Sequence, residues 1–215
     1  MGKQTWKPGN MVYPLPAVMV SCADKEGNHN IITVAWTGTV CTNPAMAYIS
    51  VRPERHSYRM IRESKEFVIN LTTEKLAYAT DWCGVCSGRD FDKFKEMKLN
   101  AGKAETLEYA PIIEECPVNI ECKVVEVKEL GSHHMFLAEV KVVRVDESYM
   151  NENGKFELNK TGLLAYSHGE YFGLGKSIGT FGWSVKKPEK KTVAKKKSSG
   201  KKTIKESAKK AGKKK

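Results

Sequence analysis

The chain has 215 residues and a formal net charge of +11, but that charge is unevenly placed. Residues 186–215 hold 15 lysines against Glu189 and Glu206, a net of +13, which leaves −2 on residues 1–185. The charge is therefore no evidence for a basic nucleic-acid-binding fold, because the basicity belongs to the C-terminal segment alone.

Residues 1–185 are expected to form one domain, large enough to bury a core without disulfide or metal staples. The six cysteines lack the dense, regular spacing of a secreted scaffold and read as reduced thiols of a cytoplasmic protein. The N-terminus lacks the apolar core of a signal peptide, and no run approaches the roughly 20 apolar residues of a membrane span. Neither export nor membrane contact is expected.

Along the chain, Ala17–Ala23 is a short β-favouring run that leaves through the turn residues Asp24–Asn28. A second run, Ile31–Val40, is rich in β-branched residues and is cut by Asn43-Pro44; Met46–Val51 alternates as a third strand. Ser57 offers an N-cap oxygen to a short helix over Tyr58–Glu63, and Phe67–Leu71 returns as a strand. Helices are predicted over Thr73–Cys83 and Arg89–Met97, and Leu107–Glu114 reads as irregular chain or an edge strand. Val118, Ile120, Cys122 and Val124 share one face before the phase slips to Val125 and Val127. Phe136, Ala138, Val140 and Val142 do the same before Val143 and Val145. Each slip is the sequence form of a β-bulge, and two bulged, bent antiparallel ribbons suit a closed barrel. Leu163–Tyr166 adds a last strand. Gly169–Trp183 carries five glycines among aromatic residues, a composition suited to backbone lying against an aromatic surface. Residues 186–215 have almost no large apolar side chains and are expected to be disordered.

Several constellations carry chemistry. Arg52-Pro53-Glu54-Arg55-His56-Ser57 follows a strand and opens a helix, so helix amides, a hydroxyl and two guanidinium groups converge as a phosphate dianion requires. The same residues also fit a solvated helix start whose arginines pair with nearby carboxylates. Thr33, Ala35 and Thr37 alternate along the second run, leaving a flat face for a planar heterocycle or simply a half-buried strand. Cys83-Gly84-Val85-Cys86 lacks the partner spacing of a zinc site and the βαβ context of a thioredoxin motif, and reads as a pair of ordinary thiols. The lysine-rich segment has neither arginine nor aromatics, so it suits salt-sensitive, sequence-independent contact with nucleic acid or another polyanion, or serves only as a solubilising appendage.

Five segments in order, SCADKEGNHNIITVAWTGTVCTNP, ISVRPERHSYRMIRESKEFVINL, ATDWCGVCSGRDFDKF, GSHHMFLAEV and EYFGLG, resemble the flavin reductase-like FMN-binding split-barrel family, which includes flavoredoxin. The resemblance covers about residues 10–183. It implies a mainly β fold, an antiparallel split barrel of six or seven strands with a few short helices, usually a homodimer with FMN near the subunit interface. It also implies that Asn30, Thr33, Val34, Ala35, Trp36 and Thr37 lie along the isoalloxazine edge. Ser50, Val51, Arg52, His56 and Ser57 would hold the ribityl chain and phosphate, with Ser87 and Lys93 near the phosphate or ring. A His-x-x-Phe/Leu-x-Gly-Glu-Val pattern beside the flavin falls on the His133-His134 pair, with Ala138 in place of the usual glycine. His134 is taken as the residue that faces the site.

The expected activity is that of an FMN-dependent oxidoreductase passing electrons from NAD(P)H or a redox protein to an acceptor. An electron carrier without NAD(P)H activity, and a polyanion-associated protein acting through its lysine-rich segment, are the alternatives.

Overall fold

The computed structural model describes residues Met1–Lys186, so the lysine-rich segment, apart from Lys186, lies outside the described residues. In chain order the strands are β1 Leu15–Pro16, β2 Val18–Ala23, β3 His29–Val34, β4 Thr37–Cys41 and β5 Met46–Val51. Helix α1 (His56–Ser64), β6 (Glu66–Leu71), α2 (Ala77–Val85) and α3 (Lys93–Met97) follow. After them come β7 Ala101–Gly102, β8 Ile112–Ile113, β9 Val118–Glu129, β10 His134–Val145, β11 Leu164–Ser167 and β12 Glu170–Gly173.

Seven strands form one antiparallel sheet in the order β3-β2-β6-β9-β10-β5-β4, and β1-β11-β12 form a second of three. Val18, Val20 and Cys22 of β2, Ile32 and Val34 of β3, Ile49 and Val51 of β5, and Phe136 and Ala138 of β10 meet in one core cluster with Ile61 of α1. Residues from both ends of the sheet thus share one interior, which means that the sheet curls on itself. The curl has a local cause in the long β9–β10 ribbon. Leu137 pairs with Glu126 and Ala138 with Val124, which makes Val125 an extra residue on β9; Lys141 is the extra residue on β10. Such insertions bend a ribbon and raise its twist. The opposite face of β2 and β3 packs Met19 and Ile31 against Ala79 and Cys83 of α2 and Phe94 of α3.

Between β6 and β9, residues 103–111 have no regular structure and are held by two buried carboxylates. Glu121 accepts from the backbone N–H groups of Glu105 (2.8 Å) and Thr106 (2.7 Å) and from the Thr106 hydroxyl (2.7 Å). Glu66 accepts from the N–H groups of Glu108 (2.9 Å) and Tyr109 (2.8 Å) and lies 3.6 Å from the Lys123 ammonium.

Four local expectations change. The run Ile31–Val40 is two strands, bent at Ala35-Trp36, because the Trp36 carbonyl is drawn to Ser50 N–H (2.9 Å) and the Thr37 hydroxyl to Tyr48 O (2.7 Å). Ser57 lies inside α1 rather than capping it; its hydroxyl is buried and accepts from Asn30 Nδ2 at 2.8 Å. Of the two helices predicted next, the first is a 3-10 turn (Glu74–Leu76) leading into α2. The second is only α3, started by Asp92, whose carboxylate accepts from Lys95 N–H. The glycine-rich segment begins as strand β12, paired to β11 across a turn in which His168 and Gly169 both have positive φ. Residues 176–186 belong to a second compact unit and end in a 3-10 turn over Trp183–Val185. There a Cβ on Gly179 would lie 2.7 Å from the Trp183 ring, so the backbone does run against an aromatic face.

Candidate functional site

Strand β5 ends at Val51 and the chain turns through Arg52–Arg55, with Arg55 N–H donating to Arg52 O (3.1 Å), before α1 begins at His56. No side chain caps α1; Tyr58 N–H donates to Arg55 O (3.0 Å), and the amides of His56 and Ser57 are left for solvent or a ligand. They border a cleft of about 420 Å³ that also receives Asn30, Arg55, Ser87, Arg89 and Lys93. Asn30 joins the cleft walls: its amide donates to Ser57, and Gly88 packs on its carboxamide so closely that a Cβ would come within 2.6 Å of Cγ. Gly88→Ala is therefore expected to displace Asn30 and weaken ligand binding here about tenfold, with little change in thermal stability. A binding titration with a melting curve checks both.

Lys93 is the unusual group. It is 4% exposed, and its ammonium donates to the carbonyls of Ile31 and Cys83, each at 2.7 Å. Among the described residues it has no carboxylate partner. Burial holds its pKa below the ordinary lysine range, and an ammonium without a counter-charge in such a place is costly. Arg89 reaches back to Glu54 O (3.0 Å), setting a guanidinium at the same cleft. Burial, then Arg89, Arg59 and Lys93, push His56 below the usual imidazole range, so the local field is positive. The arrangement suits an anion with several oxygens.

A second cleft of about 340 Å³ adjoins the first, since Ile32, Arg55 and Gly84 line both. Its walls are the β3–β4 bend (Thr33, Val34, Ala35, Trp36), the end of β5 (Ser50, Val51, Arg52), α2 (Asp81, Gly84, Val85) and the tyrosines Tyr166 and Tyr171. Gly84 is needed here because a Cβ would sit 3.1 Å from Thr33 Cβ, and the Thr33 hydroxyl is itself committed to Thr80 O. His133 lies in this cleft with its ring 4.3 Å from that of Trp36. Burial, then Arg52, lower its pKa, so it is neutral at neutral pH.

Of the residues singled out from the sequence, Thr33, Val34, Ala35, Trp36, Ser50, Val51 and Arg52 line the second cleft, and Asn30, His56, Ser57, Ser87 and Lys93 the first. Two do not. Thr37 is buried and bonded to Tyr48 O. His134 faces α1, with Nδ1 2.8 Å from the Tyr58 hydroxyl, which also accepts from Arg62. The histidine in the cleft is His133, and the spacing carried this signal: counted back from Phe136, His-x-x-Phe-x-Ala-Glu-Val begins at His133. Arg89, Asp81 and Tyr171 were missed.

Cys83 and Cys86 are free thiols on α2 and its C-cap, and burial pushes Cys83 up to about 11 and Cys22 and Cys122 up to about 12. At pH 8 a thiol-reactive chromogen should therefore titrate only Cys41 and Cys86, the two that are not buried, and all six after denaturation. Three or more fast thiols would contradict this packing.

The sequence profile described as flavin reductase like domain matches residues 11–175. The chain belongs to that family. The flavin reductase-like domain here is 28% identical to the flavoredoxin of Desulfovibrio vulgaris (Miyazaki F), with a TM-score of 0.79 over 86% of this chain and 100% of that one. Against the flavoredoxin from Methanosarcina acetivorans the identity is 27% and the TM-score 0.76, with the same coverage. An uncharacterized protein of Aeropyrum pernix is 34% identical over 62% of this chain and 50% of its own length, so this chain spans only half of that relative. The fold is thus the mainly β, antiparallel split barrel of flavin reductase-like proteins. Among the described residues, no helix is long and apolar enough to cross a membrane.

Proposed function

We propose that the domain binds FMN, ring in the cleft beside Trp36 and phosphate in the cleft beside Lys93, and passes electrons from NAD(P)H or a redox protein to an acceptor. The observation that carries this reading is the pairing of a mixed apolar and aromatic slot with a cationic pocket that contains a buried ammonium lacking a counter-anion. The residues fit the group. A phosphate dianion would take the remaining N–H of Lys93, the guanidinium groups of Arg55 and Arg89, and the first amides of α1. Ala35, Val85 and Trp36 offer apolar surface to a flat ring. Bound FMN supplies the two-electron and one-electron redox chemistry; the chain's share is to hold, orient and shield. His133, neutral and braced on Trp36, can present a ring N–H to a ligand carbonyl or to the second reactant. A base is not required for hydride transfer, so no residue is assigned that role.

Similarity to two flavoredoxins favours a second reading of the same site, an electron carrier fed by a partner protein instead of NAD(P)H. We further propose the cytoplasm as its compartment, a homodimer as its assembly, residues 1–185 as the flavin domain, and the lysine-rich segment as a weak polyanion contact.

The experiment has two steps. The purified protein, supplemented with FMN and gel-filtered, should be yellow; a colourless protein that takes up no FMN ends the flavin reading. NADH or NADPH is then added anaerobically: bleaching supports the reductase, and its absence with both donors leaves the carrier.

A further inference from the structure

The ring cleft has one wall of opposite charge to the others. Arg52 and Arg55 stand on the β5–α1 side, and Asp81, on α2, is the single carboxylate that lines it. Asp81 forms no ion pair among the described residues. Its carboxylate is held by the Tyr171 hydroxyl, which donates to Oδ1 at 3.2 Å across from β12. Tyr171 is itself braced, with its ring 5.6 Å from Tyr166, which packs 6.2 Å from Tyr13. Burial, followed by the Asp81 charge, raises the Tyr171 phenol to about 12, so it remains a donor at any physiological pH. A negative charge is thus kept at a fixed place on the rim of a slot whose other end is built for anions.

Resting on the FMN reading above, we propose that Asp81, positioned by Tyr171, determines which small electron acceptor approaches the reduced ring: neutral or cationic molecules, above all those with an N–H or O–H to donate, are admitted, and anionic ones are disfavoured. The phosphate end explains why such a filter is useful. A cleft that draws in one phosphorylated ligand through Lys93, Arg55 and Arg89 would draw other anions toward the ring by the same field, and a carboxylate at the open rim opposes them. Asp81 Oδ1 is taken by Tyr171, while Oδ2 has no partner among the described residues and is free to accept from the reactant.

The test uses the full chain loaded with FMN and photoreduced anaerobically, so that no pyridine nucleotide enters. Reoxidation is timed against two quinones sharing one ring system, 1,4-naphthoquinone and its 2-sulfonate. Reduction of either to the hydroquinone consumes the two electrons and two protons held on the reduced flavin. Because sulfonation also changes the quinone's potential, the readout is the sulfonate-to-neutral rate ratio in each variant relative to wild type. Asp81→Asn, which keeps an acceptor for Tyr171 while removing the charge, should raise that ratio about three- to tenfold. Tyr171→Phe should raise it by less, and 0.5 M salt should compress the difference between wild type and Asp81→Asn. A ratio that moves less than twofold in Asp81→Asn overturns the proposal, as does a difference insensitive to salt. Failure to load FMN would sink the cofactor reading instead, and the two failures are told apart by colour.

Discussion

Lys93→Met is expected to lower FMN affinity by two orders of magnitude or more while leaving riboflavin, which lacks the phosphate, bound nearly as before. The expectation follows from where the ammonium sits. It is buried, tied to two main-chain carbonyls that fix its direction, and without a carboxylate neighbour among the described residues. A dianion placed against it forms a charge-assisted contact in a site with little water, and losing one partner of such a pair costs about 3 kcal/mol, or roughly a hundredfold. Arg55 and Arg89 are exposed and contribute less each, because solvent screens them. Fluorescence titration with both ligands decides the matter. An equal loss for FMN and riboflavin would mean that Lys93 only supports the fold through Ile31 and Cys83, and the phosphate would have to be placed elsewhere.

Glu121→Ala should destabilise the ligand-free domain by about 3 kcal/mol, a large share of the roughly 5–15 kcal/mol that holds a domain together. The side chain is fully buried and receives three hydrogen bonds at 2.7–2.8 Å from residues 105 and 106. Truncation removes all three charge-assisted bonds, opens a void under the segment and leaves two N–H groups to re-pair with water. Glu121→Gln keeps a carbonyl oxygen but adds two donors where only donors point, so it should cost less than alanine but more than 1 kcal/mol. Urea unfolding measures both: the midpoint should fall with the slope nearly unchanged. A midpoint within error of wild type for Glu121→Ala would show that residues 103–111 are not anchored by this carboxylate.

The parts of the fold that were legible in sequence are those with a short period. The alternation of Val118 to Val127 announced β9, and its slip at Val125 marked the residue that the register leaves unpaired. Asp24–Asn28 announced the first hairpin, because Asp24 closes the turn by accepting from Glu26 and Asn28. The bend at Ala35-Trp36 was not legible. No glycine or proline marks it, and it is imposed by bonds to β5, some 11 to 14 residues away. The helix-capping role given to Ser57 failed for a similar reason, since the partner of its hydroxyl is Asn30, 27 residues earlier. The phosphate segment Arg52–Ser57 and the strand Asn30–Trp36 could be named because each is contiguous. Arg89, Asp81 and Tyr171 could not, because Arg89 meets Glu54 over 35 residues and Tyr171 meets Asp81 over 90. His133 was within reach of simple counting from Phe136.

The way residues 103–111 are fastened has an evolutionary corollary. Glu121 and Glu66 grip Glu105, Thr106, Glu108 and Tyr109 by their backbone N–H groups, with only the Thr106 hydroxyl adding a side-chain contact. An anchor that reads main chain is blind to side-chain identity, so these positions should drift freely among relatives while the two glutamates stay put. Proline, which lacks the N–H, is the one residue that drift should avoid there.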